Sequence, residues 1–123
     1  MARGVLPKWL EMLDRIGFQL ERYMDLLSAR QKLVASNIAN AATPGYQTRD
    51  IDFESAYTGL IQGTSPAVIE VQDLKGKNDG NNVSLDREAR LLAENAIRFS
   101  VASNLMRSRL RLVKSAIKEG GAG

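Results

Sequence analysis

The sequence contains no cysteine and no histidine. Without cysteine, neither a disulfide bond nor thiolate chemistry is available to the chain. Without histidine, the chain lacks the commonest general base, the side chain that titrates near neutral pH and the commonest metal ligand. We therefore expect a protein that is not an enzyme and that uses no metal ion or other cofactor.

Long apolar runs are also missing from the sequence. No stretch offers the roughly 20 consecutive apolar residues that a transmembrane helix requires. The first residues lack the continuous apolar region and the small-residue cleavage site of a secretory signal, so we expect any role outside the cytoplasm to need another export route. The formal net charge of +3 is only a weak indication of a nucleic-acid partner.

The 123 residues, of which 44% are hydrophobic and 25% charged, have the composition of one small folded domain. Two stretches show apolar and small residues at alternating spacings of three and four, which is the period of coiled-coil helices. The first seam consists of Leu10, Leu13, Gly17, Leu20, Met24, Leu27, Gln31, Val34, Ile38 and Ala41. The second consists of Leu85, Ala89, Leu92, Ala96, Phe99, Ser103, Met106, Leu110, Val113 and Ile117. Gly17 predicts a bend or a later helix start, because glycine costs about 1 kcal/mol inside a helix.

The residues between the two seams have a different pattern. Asp52 is placed to cap a short helix whose apolar positions are Phe53, Ala56, Tyr57 and Leu60. We expect this helix to end at Gly63, Ser65 and Pro66. Residues 67–72 are β-prone and residues 75–82 have the composition of a loop, so a small hairpin is the most that we expect. The segment has too few apolar residues for its own core, which predicts poor order in the isolated chain.

These patterns predict a mainly α fold, in which an antiparallel pair of long coiled-coil helices is joined by a small irregular or β segment. The predicted division is a flexible lead-in at 1–9, a helix at 10–42, a connector at 43–83, a helix at 84–119 and a disordered tail at 120–123. Ser84 is the expected N-cap of the second helix, with Asp86 and Glu88 in its acidic first turn. Apolar residues beside the second seam predict association with further chains, and these are Leu91, Val101, Leu105 and Leu112.

The end of the first helix is the most informative stretch, and residues 35–46 read ASNIANAATPGY. Asn37 and Asn40 are three residues apart, so their amides should lie near each other on one helix face and suit cross-helix hydrogen bonds. Thr43 precedes a proline, which predicts that the helix ends at about residue 42. A Pro-Gly turn follows, and Tyr46 then presents a large ring with a polar tip.

This string resembles the signature of the bacterial flagellar basal-body rod proteins, whose N-terminal helix ends in a segment like S-N-I-A-N-x-x-T-P-G-Y. Ala42 stands where that family usually has a small polar residue. The segment Asp79–Glu88, which reads DGNNVSLDRE, resembles the segment that opens the C-terminal helix in rod proteins of the proximal type. Residues 50–53 likewise resemble the segment after the turn in that type.

The resemblance implies a structural protein that stacks helically into the tube between the inner-membrane ring and the distal rod, and that transmits torque. The implied partners are copies of itself, other rod subunits, the inner-membrane ring with its rod adaptor, and the export apparatus. The implied location is the periplasmic rod of the basal body, reached unfolded through the flagellum's own type III export apparatus. Neither a nucleic acid nor a small-molecule substrate is expected. The residues that we expect to carry assembly are Asn37, Asn40, Thr43, Pro44, Gly45, Tyr46, Leu91, Val101, Leu105 and Leu112.

Parts of the sequence are also compatible with other functions. Rod subunits share the Thr-Pro-Gly-Tyr segment, so another flagellar axial subunit or the rod-to-ring adaptor is the nearest alternative. A more remote alternative is a basic helical module for nucleic acids, since phosphates could contact Arg98, Arg107, Arg109, Arg111 and Lys114. Phe99 is the only aromatic residue near this cluster and lies on the seam, so a stacking platform is lacking. The acidic residues on the first helix disfavour a membrane-surface helix.

The charge distribution suggests one contact between copies. The middle segment has more acids than bases, whereas the last turns of the second helix are basic. The acids are Asp50, Asp52, Glu54, Glu70, Asp73 and Asp79, and the bases are Arg49, Lys75 and Lys77. We hypothesise that the acidic middle of one copy faces the basic helix end of another. The alternative is that the basic end only complements the helix dipole.

Overall fold

The computed structural model describes residues 7–62 and 67–122 of the chain. In chain order the described elements are α1 (Lys8–Ala39), β1 (Arg49–Ile51), α2 (Phe53–Ile61), β2 (Val68–Glu70) and α3 (Leu85–Ala122). The two long helices, of 32 and 38 residues, dominate the molecule. None of the helices in the described ranges combines the length and the apolar character that crossing a bilayer requires.

The two long helices lie side by side in opposite directions. Near the beginning of α1, Arg109 of α3 donates a hydrogen bond to the backbone carbonyl of Leu13. Further along, the Asn95 amide donates to the carbonyl of Leu27 over 2.8 Å. Residue numbers rise along one helix as they fall along the other, so the predicted antiparallel pair and the mainly α fold are confirmed.

Helix α1 begins earlier and ends earlier than predicted. It begins at Lys8, because the carbonyl of Pro7 already accepts hydrogen bonds from the backbone of Leu10 and Glu11. It ends at Ala39 because Asn40 folds its amide back onto the Ser36 carbonyl, over 2.9 Å, and takes the C-cap position. The predicted helix at 40–42 is therefore wrong and these residues form a turn. The rest of the predicted lead-in, residues 1–6, lies outside the described residues.

Helix α3 begins where the sequence predicts and continues further. The Ser84 hydroxyl accepts a hydrogen bond from the Arg87 backbone N–H over 3.2 Å, which confirms Ser84 as the N-cap. The helix runs to Ala122, three residues past the predicted end at residue 119. Glycine raises the free energy of a helix by about 1 kcal/mol per residue, but unlike proline it removes no hydrogen-bond donor.

The connector is a strand, a helix and a strand. β1 pairs with β2 in antiparallel fashion, and Asp50 lies opposite Ile69. The predicted helix between them is confirmed, with the Asp52 carboxylate accepting a hydrogen bond from the Ser55 hydroxyl over 3.0 Å. Its predicted end residues Gly63, Ser65 and Pro66 lie outside the described residues. β1 was not predicted, because three residues are too few to show a strand period.

The described part of the connector is packed against α1. Leu26 of α1 is fully buried against Ile51 of β1 and Ala56 of α2. Tyr23 of α1 makes an edge-to-face contact with Phe53, with the ring centroids 5.8 Å apart. The connector therefore has no separate core: Ile51 and Ala56 are buried against α1, whereas Tyr57, Val68 and Ile69 stay between 38% and 55% exposed.

The face of α3 that meets α1 is not the predicted seam. The α3 residues buried in the protein are Glu88, Leu91, Asn95 and Ala102. The largest apolar residues of the predicted seam remain between 38% and 67% exposed, and these are Leu85, Leu92, Phe99, Leu110 and Ile117. Apolar spacing alone predicts the wrong face because polar residues can occupy a helix interface when their hydrogen bonds are satisfied. Leu91, expected on the outer face, is buried.

Gly17 does not bend α1. Its role is to let the Arg109 side chain of α3 approach the α1 backbone closely. The helix is continuous through Gly17, and the guanidinium of Arg109 lies against it so closely that a Cβ there would overlap it. From that position Arg109 donates to the Leu13 carbonyl and reaches the Asp14 carboxylate over 3.2 Å. The glycine therefore gives a long cation access to the α1 backbone.

The position of the core yields a first prediction. Leu26→Ala should lower the free energy of unfolding by about 2–5 kcal/mol, because it leaves a cavity where α1, β1 and α2 meet. Chemical denaturation followed by far-UV circular dichroism measures the change. Leu112→Ala is the matched control, since Leu112 is 58% exposed, and it should change stability by less than about 0.5 kcal/mol. Equal effects of the two substitutions would contradict this core.

Candidate functional site

Buried polar side chains are concentrated where α1 ends, β1 starts and α3 begins. We call this region the junction, and it comprises residues 36–50 and 79–88. Its buried polar residues are Asn37, Thr48, Asp50, Asn81, Asn82 and Glu88. Every buried side-chain nitrogen or oxygen in the described part of the chain has a hydrogen-bond partner. A buried polar cluster is stabilising only when it is fully paired in this way.

Asn37, which is 0% exposed, is at the centre of the junction. Its amide nitrogen donates to the Arg49 carbonyl over 2.8 Å and to the Glu88 carboxylate over 2.5 Å. Its amide oxygen accepts from the Arg49 N–H over 3.1 Å and from the Tyr46 hydroxyl over 3.0 Å. Asn37 therefore pairs with Arg49 as a neighbouring strand would, and joins α1 to β1 and to α3 at once.

Tyr46 closes the turn over the end of α1. Its hydroxyl lies 3.3 Å from the Ser36 hydroxyl as well as within hydrogen-bond distance of Asn37. Since the phenol has one proton and donates it to Asn37, the Ser36 hydroxyl is the donor in the second contact. The ring thus ties the residue after the Pro-Gly turn back onto the last turn of α1.

Asn81 holds the same turn from the other side. Its amide, which is 0% exposed, donates to the carbonyls of Asn40 and Thr43, each over 2.8 Å. Its oxygen accepts from the Val83 N–H over 2.9 Å. Both carbonyls lie in the turn that follows α1, and each also accepts a backbone hydrogen bond within that turn. The chain just before α3 therefore holds the turn after α1 in place.

Asn82 provides the next connection. Its amide oxygen accepts from the backbone N–H of Thr48 over 2.7 Å and from the Thr48 hydroxyl over 2.8 Å. Its amide nitrogen donates to Gln47 over 2.9 Å. The segment before α3 is thus joined to the chain on both sides of the Pro-Gly turn: Asn81 bonds to residues before it and Asn82 to residues after it.

Two glycines allow these backbones to meet. Gly45 has a φ of +75° and Gly80 a φ of +85°, a region that side chains other than glycine rarely adopt. The Gly45 N–H donates to the Asp79 carbonyl over 2.9 Å. A Cβ on Gly80 would lie 3.5 Å from the Gly45 Cα. The Pro-Gly turn and the Asp-Gly turn are therefore packed directly against each other.

An ion-pair cluster lies beside the amides. The Asp50 carboxylate accepts two hydrogen bonds from Arg30, over 3.0 and 2.9 Å, and one from Arg87 over 2.6 Å. Arg87 also donates to Glu88 over 3.0 Å. The two arginines and two carboxylates balance in charge and connect α1, β1 and α3. Removing one partner would leave a buried charge unpaired, which costs several kcal/mol.

The environment of Glu88 changes its protonation. Burial raises the pKa of the Glu88 carboxyl above its ordinary value of 4.5, and the nearby Asp50 carboxylate acts in the same direction. The Asn37 hydrogen bond and the Arg87 charge lower this pKa but do not cancel the effect of burial. The folded chain therefore holds a proton on Glu88 more tightly than the unfolded chain does.

The structure divides the predicted assembly residues into two sets. Asn37 and Tyr46 bond within the chain, and Asn40 bonds locally to Ser36 and Thr43. Residues 43–45 form the exposed turn. On α3, the exposed members are Val101, Leu105 and Leu112, between 52% and 58% exposed, whereas Leu91 is buried. The expected cross-helix bond of Asn37 is present, and it lies inside the subunit.

Sequence reasoning missed several junction residues, namely Arg30, Asp50, Asn81, Asn82, Arg87 and Glu88. The Asn-Asn pair at 81 and 82 was interpreted as loop composition and Glu88 as a dipole-compensating residue. A sequence signal was available, because the two segments that match the rod-protein pattern are the two that meet here. The sequence alone does not show that these two segments meet, because only the fold brings the end of α1 next to the start of α3.

The charge hypothesis for the middle segment needs correction. Asp50 is buried and paired inside the chain, so it is not an acid on the surface. Asp52 is exposed, and its carboxylate accepts hydrogen bonds from Ser55 at the start of α2. Two bases of the proposed nucleic-acid cluster are also engaged internally. Arg109 lies against Gly17, and Arg98 lies 5.7 Å from the Phe53 ring centroid. Both charged surfaces are therefore smaller than the sequence predicts.

The arrangement is that of a structural joint. Each buried polar side chain of the junction is used in holding chain segments together. Within residues 7–62 and 67–122, no cluster of three or more acidic, histidine or cysteine side chains could hold a metal ion. The class that this geometry supports is a structural protein whose sequence signature stabilises a helix pair.

Comparison with known proteins identifies the family. The family described as "Flagella basal body rod protein" matches residues 24–47, which end at the Pro-Gly-Tyr turn. The flagellar basal body rod protein FlgB of Salmonella typhimurium is 33% identical over 89% of this chain and 99% of its own length. FlgB of Escherichia coli K12 is 29% identical over 89% of this chain and 99% of its own. FlgB of Borrelia hermsii is 30% identical over 79% of this chain and 91% of its own length. The chain belongs to the FlgB family of flagellar basal body rod proteins.

Asn37 provides a direct test of the junction. Asn37→Ala should lower the free energy of unfolding by about 2–3 kcal/mol, because it leaves buried partners on β1 and α3 unsatisfied. Urea denaturation of the purified chain measures the change. Asn104→Ala is the control, since Asn104 is exposed and bonds only to Arg107 within its own helix. Similar stabilities for the two variants would show that the Asn37 contacts are not important for folding.

Glu88 gives a prediction about pH. Because its pKa is raised on folding, the stability that the protonated group contributes is present below pH 4.5 and is lost as the pH rises through the folded value. Glu88→Gln keeps an acceptor for Asn37 but does not titrate. The variant should therefore gain stability relative to the wild type as the pH rises from 4.5 to 7. A constant difference across that range, measured by urea denaturation, would argue against the assignment.

Proposed function

We propose that the chain assembles helically through the outer faces of its two long helices, and that in this form it carries torque from the motor towards the distal rod and hook. As a member of the FlgB family, it is a structural subunit of the proximal rod of the flagellar basal body. The proposal concerns how the subunit is used and which of its surfaces take part.

The outer faces of α3 support this mode of assembly. Leu85, Leu92, Phe99, Leu110 and Ile117 follow one exposed line along the helix. A second exposed line consists of Ile97, Val101, Leu105 and Leu112, between 52% and 65% exposed. Apolar surface of this extent is unusual on a protein that works alone and typically marks an association surface. These two lines on α3 are the single observation that carries the proposal.

The junction supports the mechanical part of the proposal. A subunit that transmits torque needs a rigid link between its two wall-forming helices. The ion pairs of Asp50 and the amides of Asn37 and Asn81 provide fixed links between the end of α1 and the start of α3. We propose that Thr43, Pro44 and Gly45, which form the exposed turn beside these links, contact a neighbouring subunit.

The proposed partners are copies of the same chain, other rod subunits, the inner-membrane ring and its rod adaptor. We also propose that the chain reaches the periplasmic rod through the flagellar type III export apparatus. The protein would then act without catalysis and without a nucleic acid. Its cysteine-free sequence suits this route, because an unfolded chain in transit has no thiols to cross-link.

Gene deletion in the source bacterium tests the proposal. Cells without the gene should form basal-body rings that lack a rod, and they should not swim. Expression of the wild-type chain from a plasmid should restore both rods and swimming, as scored by electron microscopy of isolated basal bodies. Intact rods in the deletion strain would contradict the proposed function.

Residue changes on the outer face of α3 separate assembly from folding. Val101→Asp combined with Leu105→Asp should abolish rods, because both side chains are more than half exposed in the subunit and would be buried by a neighbour. The purified variant should keep its helical circular dichroism and its unfolding midpoint. Glu94→Gln, an exposed change on the same helix, should leave rods unaffected. Normal rods in the double variant would show that this face of α3 takes no part in rod assembly.

A further inference from the structure

Two exposed stripes of opposite charge lie towards the beginning of α1 and towards the end of α3. The acidic stripe on α1 consists of Glu11, Asp14, Glu21 and Asp25, whose spacings of three, seven and four place them on one helix face. The basic stripe on α3 consists of Arg107, Arg111, Lys114 and Lys118, whose spacings of four, three and four do the same. All eight residues are exposed.

The subunit itself leaves these charges almost unused. Among the described residues, Asp14 is the one member of either stripe in an ion pair, with Arg109, and Asp14 remains 62% exposed there. Arg107 and Arg111 bond to neutral side chains of their own helix. The faces that α1 and α3 turn to each other are formed by other residues, such as Leu27 and Asn95. Both stripes are therefore available to a partner.

Each stripe also carries exposed apolar surface. Phe18 lies within the acidic stripe and is 48% exposed, with the Arg22 guanidinium 5.1 Å from its ring centroid. Leu110 and Ile117 flank the basic stripe and are 47% and 67% exposed. Contact between the stripes would bury these apolar side chains as well as pair the charges. Surface ion pairs contribute little singly, so the apolar contact is needed for affinity and the charges set the orientation.

We propose that the acidic stripe of α1 on one copy of this chain docks on the basic stripe of α3 on the next copy. This rests on the proposed function as a rod subunit and specifies which faces of neighbouring subunits meet. A second copy is the occupant because one sequence supplies both complementary surfaces. This contact replaces the predicted one with the acidic connector, whose Asp50 is buried and paired within the subunit.

The geometry of this contact suits an open assembly. The two stripes are different surfaces, so the contact is heterologous, and a row of copies keeps one free acidic stripe at one end and one free basic stripe at the other. Arg109 lies beside Leu13, so the basic stripe extends further towards the termini than the acidic stripe does. Docking one stripe on the other therefore shifts neighbouring copies along the helix axis by an amount on the order of 10 Å. A repeated shift of this kind produces a helical row.

Charge reversal in the deletion strain tests the pairing. Glu21→Lys with Asp25→Lys reverses part of the acidic stripe, and Arg111→Glu with Lys114→Glu reverses part of the basic one. Each pair alone should reduce the number of basal bodies with rods at least tenfold, and all four changes together should restore at least half of the wild-type number. The control is Lys75→Glu with Glu94→Lys, which reverses exposed charges outside both stripes and should have no effect.

Disulfide trapping identifies the occupant. The natural chain has no cysteine, so a chain with Glu21→Cys and Lys114→Cys carries the only two thiols in the subunit. Mild oxidation of isolated basal bodies should give a ladder of dimers, trimers and larger species on non-reducing gels. Glu94→Cys with Lys114→Cys should give no ladder. Lack of rescue by the four-residue variant together with no ladder, or a disulfide to a different protein, would overturn the proposal.

The outcomes separate this inference from the function on which it rests. If the wild-type chain does not restore rods to the deletion strain, the proposed function is wrong. If the wild-type chain restores rods and the single reversals do so equally well, the rod function stands and the stripe contact is wrong. Far-UV circular dichroism of each purified variant ensures that lost rods do not reflect an unfolded subunit.

Discussion

The hydrogen bonds of Asn37 are the interaction on which the rest of the structure depends. Its one amide group pairs with the Arg49 backbone as a strand would, accepts from Tyr46, and donates to Glu88 on α3. The direction in which the chain leaves α1 and the place at which α3 begins follow from these bonds. Asn81 and the paired turns around Gly45 and Gly80 then complete the same joint from the opposite side. The signature that the family model matches is, in this chain, chiefly an internal joint.

Polar residues form part of the contact between the two long helices, while many apolar residues of α3 remain exposed. Contacts between α1 and α3 include Asn95 and Arg109 bonded to the α1 backbone, with Gly17 giving Arg109 access. Most of the larger apolar residues of α3, with the exception of Leu91, are exposed. Polar contacts specify alignment, because a shifted register would leave buried donors unpaired. Apolar surface supplies most of the free energy of association, and here much of it is left for neighbouring subunits. This division suits a protein that is complete only in an assembly.

The sequence was sufficient for the overall fold and insufficient for the helix interface. Two heptad patterns predicted two long helices, and the caps at Asp52 and Ser84 were identified because capping depends on local residues. The face of α3 was predicted wrongly, because heptad spacing identifies an apolar line without saying whether its partner is in the same chain. Asn37 was recognised as a cross-helix donor, but Glu88 was not recognised as its partner. That pairing joins residues 51 positions apart, which only the folded chain brings together.

A double-mutant cycle between Asn37 and Glu88 tests the central claim most directly. The free energies of unfolding of the wild type, Asn37→Ala, Glu88→Ala and the combined variant are measured by urea denaturation at pH 7. If the two side chains form one buried unit, the combined loss should be smaller than the sum of the single losses by about 0.5–3 kcal/mol. Additive losses would show that the two residues act independently, and would contradict a joint centred on Asn37.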